Sequence, residues 1–291
     1  MVSRTVMIFQ RFTSEMCRWP DQSFSQDVQV TYLGTAGFVF QHQQQHIVVD
    51  PFVSRPSIIN TLARPLRPSS ELIRSIIPRA DQVLVGHSHH DHILDAPELC
   101  HQTGAQFIGS SDACNVARAA GLPEIQIRST EGHEEIACGP DCSVTGVPSA
   151  HGRVYFNRVT LPGSIPEPPK WPPRLWDLRH GQVLNWLLRL GELTIVHIDS
   201  AEFINEELQG MQADVVCLCA IGRAWRPNYV ADIIRLLKPR LIIPCHWDQF
   251  WVPYHGQHRM LPGVDLPGFV REIEAEGVEV GVLPIGGRAQ L

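Results

Sequence analysis

The sequence predicts an α/β layer fold, and two observations carry that prediction. From about residue 69 onward, short apolar segments alternate with segments of helical periodicity, and four of the apolar segments lead into a residue type that binds metal. Strands alternating with helices build layered sheets. In such sheets ligands sit beyond the carboxyl ends of the strands.

The elements follow in chain order. Residues 1–26 are polar and irregular and read as an N-terminal extension, with one folded domain over 27–291. Val28 to Leu33 alternates as a strand does, Gly34 and Gly37 interrupt it, and Phe38 to Phe40 resumes. A polar turn from His42 to Gln45 then leads into Ile47-Val48-Val49-Asp50, which makes the segment an antiparallel meander. Residues 69–78 read as a helix, with Ser69 or Ser70 as N-cap and Leu72, Ile73, Ile76 and Ile77 as its apolar stripe.

Four segments then share one plan. Gln82 to Val85 leads through Gly86 into His87-Ser88-His89-His90-Asp91-His92, and Ser143 to Val147 is followed by His151. Leu193 to Ile198 is followed by Asp199, and Arg240 to Cys245 by His246. Helical stretches lie at 111–120, about 201–209, and 228–237. The proline-rich tract 162–173 is a loop, because proline removes ladder donors and fixes φ. The wider segment 161–176, with Trp171 and Trp176, is expected to lie over the mouth of any site at those strand ends.

Composition narrows the class. Hydrophobic residues make up 44% and charged residues 19%, enough for a packed core and against disorder. A formal net charge of −6 argues against a nucleic-acid binder, so the expected partner is a small-molecule substrate. The first twenty residues lack a secretory pattern, and no stretch approaches the ~20 apolar residues needed to span a bilayer. Eight cysteines are too few for a disulfide scaffold of this size, so the compartment reads as cytoplasmic; as metal pairs, Cys138/Cys142 lacks partners and Cys217/Cys219 alternates within an apolar strand, so both read as structural.

The chemistry rests on histidine placement. After a strand, a tight turn aims His87 and His89 at one point, while Asp91 and His92 reach a second point nearby. His151 is the candidate third ligand for the first point and His246 for the second, and Asp199 can offer one oxygen to each. Imidazole and carboxylate suit zinc, and manganese and iron also accept such a set. His90 is out of phase with the ligands and takes a supporting or solvent-facing role. His197 reads as a core histidine.

The motif His87 to His92, followed in order by His151, Asp199 and His246, resembles the metallo-β-lactamase superfamily over about residues 28–285. The resemblance implies a four-layer αββα sandwich with two metals at one edge of the sheets. It implies that His87, His89 and His151 hold the first metal, that Asp91, His92 and His246 hold the second, and that Asp199 bridges. The segment Val30 to Phe38 is similar to the lactonases of phosphorylated ascorbate. Ala220 to Arg223 and His246 to Phe250 are similar to the N-acyl-phosphatidylethanolamine phospholipase D group. Ile198-Asp199-Ser200 departs from the usual Gly-Asp-Thr.

The expected function is a binuclear hydrolase with two Zn2+ ions, Mn2+ or Fe being the alternatives. A metal-bridging hydroxide, oriented by Asp91, would cleave an ester, lactone or phosphodiester bond in a small anionic substrate. Arg223, Trp225 and Arg226 follow the apolar strand Val215 to Cys219, and together with Trp247 they are the expected substrate contacts. Two rivals share the fold: an iron-dependent redox enzyme of the persulfide dioxygenase or oxygen reductase type, and a non-catalytic metal-binding scaffold.

Overall fold

The computed structural model describes residues 10–21, 24 and 27–291. The first part of the chain forms β1 (Val28–Gly34), β2 (Gly37–His42), β3 (Gln45–Val49), α1 (Ile58–Ala63), α2 (Ser70–Ile76) and β4 (Gln82–Leu84). It continues through α3 (His90–Ile93), α4 (Ala96–Thr103), β5 (Gln106–Gly109), α5 (Ser111–Ala119) and β6 (Ile127–Ser129). The second part forms β7 (Glu135–Gly139), β8 (Cys142–Ser149), β9 (Val183–Leu190), β10 (Leu193–Ile198), α6 (Asn205–Leu208) and β11 (Val215–Cys219). It ends with α7 (Tyr229–Leu237), β12 (Leu241–Cys245), α8 (Leu266–Ala275), β13 (Glu279–Val280) and β14 (Arg288–Gln290).

Two seven-stranded sheets result, ordered β14-β1-β2-β3-β4-β5-β6 and β13-β12-β11-β10-β9-β8-β7. In each, an antiparallel meander precedes a parallel run: β1–β3 then β4–β6, and β7–β10 then β11–β13. The last strand, β14, returns to pair antiparallel with β1.

Alternation along the strands sorts side chains between layers. Val28, Val30 and Tyr32 of β1 and Leu84 of β4 join the core between the sheets, while Leu33, Val83 and Val85 join the core under α2, α4 and α5. Helix α7 buries Tyr229, Val230, Ile233, Leu236 and Leu237, a helical stripe, beside the second sheet. Strand β11 is buried at every position, as a parallel strand covered on both faces must be. The architecture is the αββα sandwich.

The helix expected over 201–209 is only Asn205–Leu208. Ile204 is extended, and Glu202 just before it is engaged by Arg226. Within the stretch 1–26, Met1–Phe9, Gln22, Ser23, Ser25 and Gln26 lie outside the described residues. Arg11 and Arg18 make antiparallel bridges to Arg259 and Val282, and the Phe12 ring stacks on Trp247 at 4.4 Å. All eight cysteines are free. Among the described residues no helix is long and apolar enough to cross a membrane.

Candidate metal centre

Strand direction decides where the ligands meet. Strands β8 and β10 both run antiparallel to β9, and β11 and β12 run parallel to β10, so these four end at one edge. Strands β3 and β4 run parallel in the facing sheet. Residues just past these ends converge: Asp50 after β3, His87 and His89 after β4, His151 after β8, Asp199 after β10 and His246 after β12. Helix α3 carries Asp91 and His92 into the same space.

Three overlapping groups offer ligand atoms within 4.8 Å of one another: His87, His89 and His151; His87, His92 and Asp199; and Asp91, His92 and His246. His87 Nε2 lies 3.0 Å from His89 Nδ1. That is close to the ~3.3 Å edge of a tetrahedron with zinc–nitrogen bonds of about 2.0–2.1 Å. Asp199 Oδ2 lies 2.6 Å from His87 Nδ1, and Asp199 groups with His87 from one expected ligand set and His92 from the other. Asp91 Oδ2 is 3.4 Å from His246 Nε2 and 3.8 Å from His92 Nε2.

Gly86 makes this crowding feasible. A Cβ there would sit 2.3 Å from Asp199 Oδ2 and 3.1 Å from Asp50 Oδ2, so any side chain would push the two carboxylates out. Gly152, next to His151, is also tight: a Cβ would meet the Ala201 backbone nitrogen at 2.9 Å. Its N–H donates to Ser200 Oγ at 2.8 Å. In the departure Ile198-Asp199-Ser200, the serine hydroxyl thus ties the His151 loop to the Asp199 loop.

Burial sets the protonation states. It pushes the His87 and His89 imidazoles well below their ordinary range and His151 down to about 4. These rings are therefore neutral near pH 7, the form that ligates metal. Burial pushes the Asp91 carboxyl up, but His92, His90 and His246 outweigh it and hold the group well below the usual carboxylate range. Asp50 and Asp199 go the other way, raised by burial, and for Asp50 next by the charge of Asp199. A divalent cation held among them would offset that repulsion.

The residues fit a divalent metal. Asp199 Oδ1 is buried without a hydrogen-bond partner, and neutral imidazole with carboxylate is a zinc-type donor set.

Sequence reasoning missed two residues here. Asp50 Oδ2 lies 2.9 Å from His92 Nδ1, and Asp50 Oδ1 accepts the Gly86 N–H at 2.7 Å. It thereby fixes the His92 ring with Nε2 toward Asp91. Its signal was present, since Ile47-Val48-Val49-Asp50 is a fifth strand ending in a metal-binding type. The His180 ring stacks on His151 at 5.6 Å, and its carbonyl accepts the Ser88 N–H at 2.9 Å; no pattern marked it. Asp50→Asn is expected to weaken metal binding ~10- to 100-fold, the usual cost of losing an outer partner of a ligating histidine. Competition against a chromophoric chelator measures this, and unchanged affinity would show that Asp50 does not orient His92.

A cavity of about 310 Å3 opens over the cluster. The four expected substrate contacts do not line it. Gly222, at φ +88, turns the chain so that Arg223 pairs with Glu272 and lies over the Phe269 ring. Arg226 pairs with Glu202, donates to Asn205 Oδ1 at 2.8 Å and lies 3.7 Å over the Phe203 ring. Trp225 is half exposed on the same turn. Trp247 points away from His246 and is buried between Phe12 and Tyr32. Both guanidiniums are thus taken by carboxylates rather than offered to a ligand.

Of the segment 161–176 expected over the mouth, Leu161 and Leu175 near its two ends line the cavity, while Trp171 and Trp176 do not. The segment is pinned: Asp112 of α5 accepts from the Ile165 and Gln182 N–H groups, and the Leu66 N–H donates to the Pro173 carbonyl. His90 also lines the cavity, edge-on to Phe52 and Phe250. Cys219, expected as purely structural, borders it as well, with a thiol that burial pushes far up. His197 is fully buried and its Nε2 lies 2.7 Å from the Ala36 carbonyl oxygen, a core position.

Comparison with known proteins agrees with the fold. Residues 29–246 match the Beta-lactamase superfamily domain. A UPF0173 metal-dependent hydrolase of Pyrobaculum arsenaticum is 25% identical over 229 residues, spanning 77% of this chain and 85% of that protein. One from Methanopyrus kandleri is 25% identical over 260 residues, spanning 88% and 96%. The solved structure of Igni18, a metallo hydrolase from Ignicoccus hospitalis, superposes with a TM-score of 0.62 at 18% identity, covering 90% of this chain and 97% of that one. With three-quarters of its length, residues 29–246, matched by the Beta-lactamase superfamily domain and its strand-end histidines and aspartates gathered at one sheet edge, the chain belongs to the metallo-β-lactamase superfamily.

Proposed function

We propose that this protein is a metal-dependent hydrolase that uses two zinc ions to cleave an ester, lactone or phosphodiester bond in a small molecule. The observation that carries the reading is Asp199, which groups with His87 on one side and His92 on the other. His87, His89 and His151 form one ligand set, and Asp91, His92 and His246 form the other. When bound between these two sets, zinc would supply an activated water near neutral pH and Lewis-acid stabilisation of the developing oxyanion. Asp91, kept ionised by its imidazole neighbours, would accept a hydrogen bond from the attacking water and orient it toward the scissile centre. Asp50 holds the His92 ring, and Ser200 holds the His151 loop against Asp199.

The anionic substrate expected from Arg223 and Arg226 loses its basis, because Glu272 and Glu202 occupy both groups. The cysteine count continues to favour a cytoplasmic setting. A panel of chromogenic esters, lactones, phosphodiesters and a β-lactam tests the reading. At least one class should be cleaved, with activity abolished by a chelator and restored by zinc. Turnover indifferent to chelation, or a product formed only with a reductant and dioxygen, would contradict it.

A further inference from the structure

Resting on the hydrolase reading, we propose that the substrate is a neutral carboxylic ester or lactone with a compact apolar acyl group, held against the wall of the cavity above the metal ligands. The floor is imidazole and carboxylate, while the wall is Ile58 and Leu62 of α1, Leu161 and Leu175 of the proline segment, and Phe250 and Trp251. No lysine or arginine lines the cavity among the described residues. An anionic substituent lying against this wall would lose its hydration and find no partner, which is costly. A negative charge has one favourable place, the metals, and the scissile carbonyl must occupy it. A phosphodiester would carry its charge at the scissile group and so at the metals, and the cleavage panel separates it from the carboxylic esters.

Size points the same way. About 310 Å3 lies at the small end of the ~300–1,000 Å3 range of ligand pockets. The apolar surface also continues outward, with the cavity residues Ile58 49% and Leu62 58% exposed. Two large exposed side chains one turn apart on α1, both lining the opening, are more than scattered surface residues. In the reaction water adds its oxygen to the carbonyl carbon and the carbon–oxygen ester bond breaks. The acyl group leaves as the carboxylic acid, and the alcohol oxygen takes a proton.

The test uses the zinc-loaded full chain and two probe series. The first is neutral n-alkyl hydroxamates of increasing length, with dissociation constants from calorimetry. The second is the matching p-nitrophenyl esters, with kcat/KM. Each buried methylene should improve both about fourfold, until the cavity is filled. A short chain ending in carboxylate should bind at least tenfold more weakly than its neutral counterpart. Leu62→Arg, at an exposed position where stability should change little, should flatten the length dependence and narrow the penalty on the carboxylate probe. Affinity independent of chain length, or a carboxylate probe that binds as tightly as the neutral one, would overturn the proposal. Hydroxamate binding that follows length while no ester is cleaved would uphold the apolar subsite and count against the hydrolase reading alone.

Discussion

Asp91→Asn is expected to lower turnover on any identified substrate by about 10²- to 10⁴-fold, the range lost with a positioned acid–base group. The amide has nearly the same shape, so the fold should survive. What disappears is the negative charge that His92, His90 and His246 stabilise against burial, and with it an anionic ligand and an acceptor for water. Steady-state kinetics and thermal unfolding of the variant, measured together, separate the two effects. Near-normal turnover removes Asp91 from the mechanism, and a collapse in unfolding temperature that accounts for the lost activity makes its role structural.

Asp248→Ala is expected to destabilise the protein by about 3–5 kcal/mol, the usual cost of stranding one partner of a buried ion pair. Arg55 Nη1 lies 2.8 Å from Asp248 Oδ2, and both side chains are fully buried. Asp248 Oδ1 also accepts the Thr35 N–H at 2.7 Å and the Tyr32 hydroxyl at 3.0 Å. The Thr35 carbonyl in turn accepts the His246 N–H. The pair therefore joins β1, the segment after β3 and the His246 loop, and its loss should loosen His246 as well as the fold. The unfolding temperature should fall on the order of 10 °C. Removing both charges together, as Arg55→Met with Asp248→Leu, should recover part of that loss. A single variant with unchanged unfolding temperature would show the pair to be dispensable.

What was legible in the sequence was the link between strand and ligand. A short apolar run has one carboxyl end, and a polar metal-binding residue placed there has few other reasons to be buried. That reasoning brought His87, His89, Asp91, His92, His151, Asp199 and His246 into view together. It applied equally to Asp50, which was passed over because its strand belongs to a hairpin meander rather than to the strand–helix alternation. The same reasoning misled for Arg223, Trp225, Arg226 and Trp247. Position after a strand fixes where a residue lies but not where its side chain points. The left-handed turn at Gly222 and the carboxylates of Glu272 and Glu202, distant in sequence from Arg223 and Arg226, decide that direction. The apolar wall was hidden for a similar reason. Helix α1 is six residues long, too short for helical periodicity to show, and it becomes a wall only through packing between distant segments.

The most direct measurement is titration of metal-stripped protein with zinc, following hydrolysis of the best panel substrate and bound metal by elemental analysis. Activity should rise to a plateau at two zinc ions per chain, with His246→Ala and the double variant His87→Ala, His89→Ala each retaining no more than one. A plateau at a single equivalent, activity restored by iron but not by zinc, or full turnover in the stripped protein would contradict the two-metal hydrolytic site.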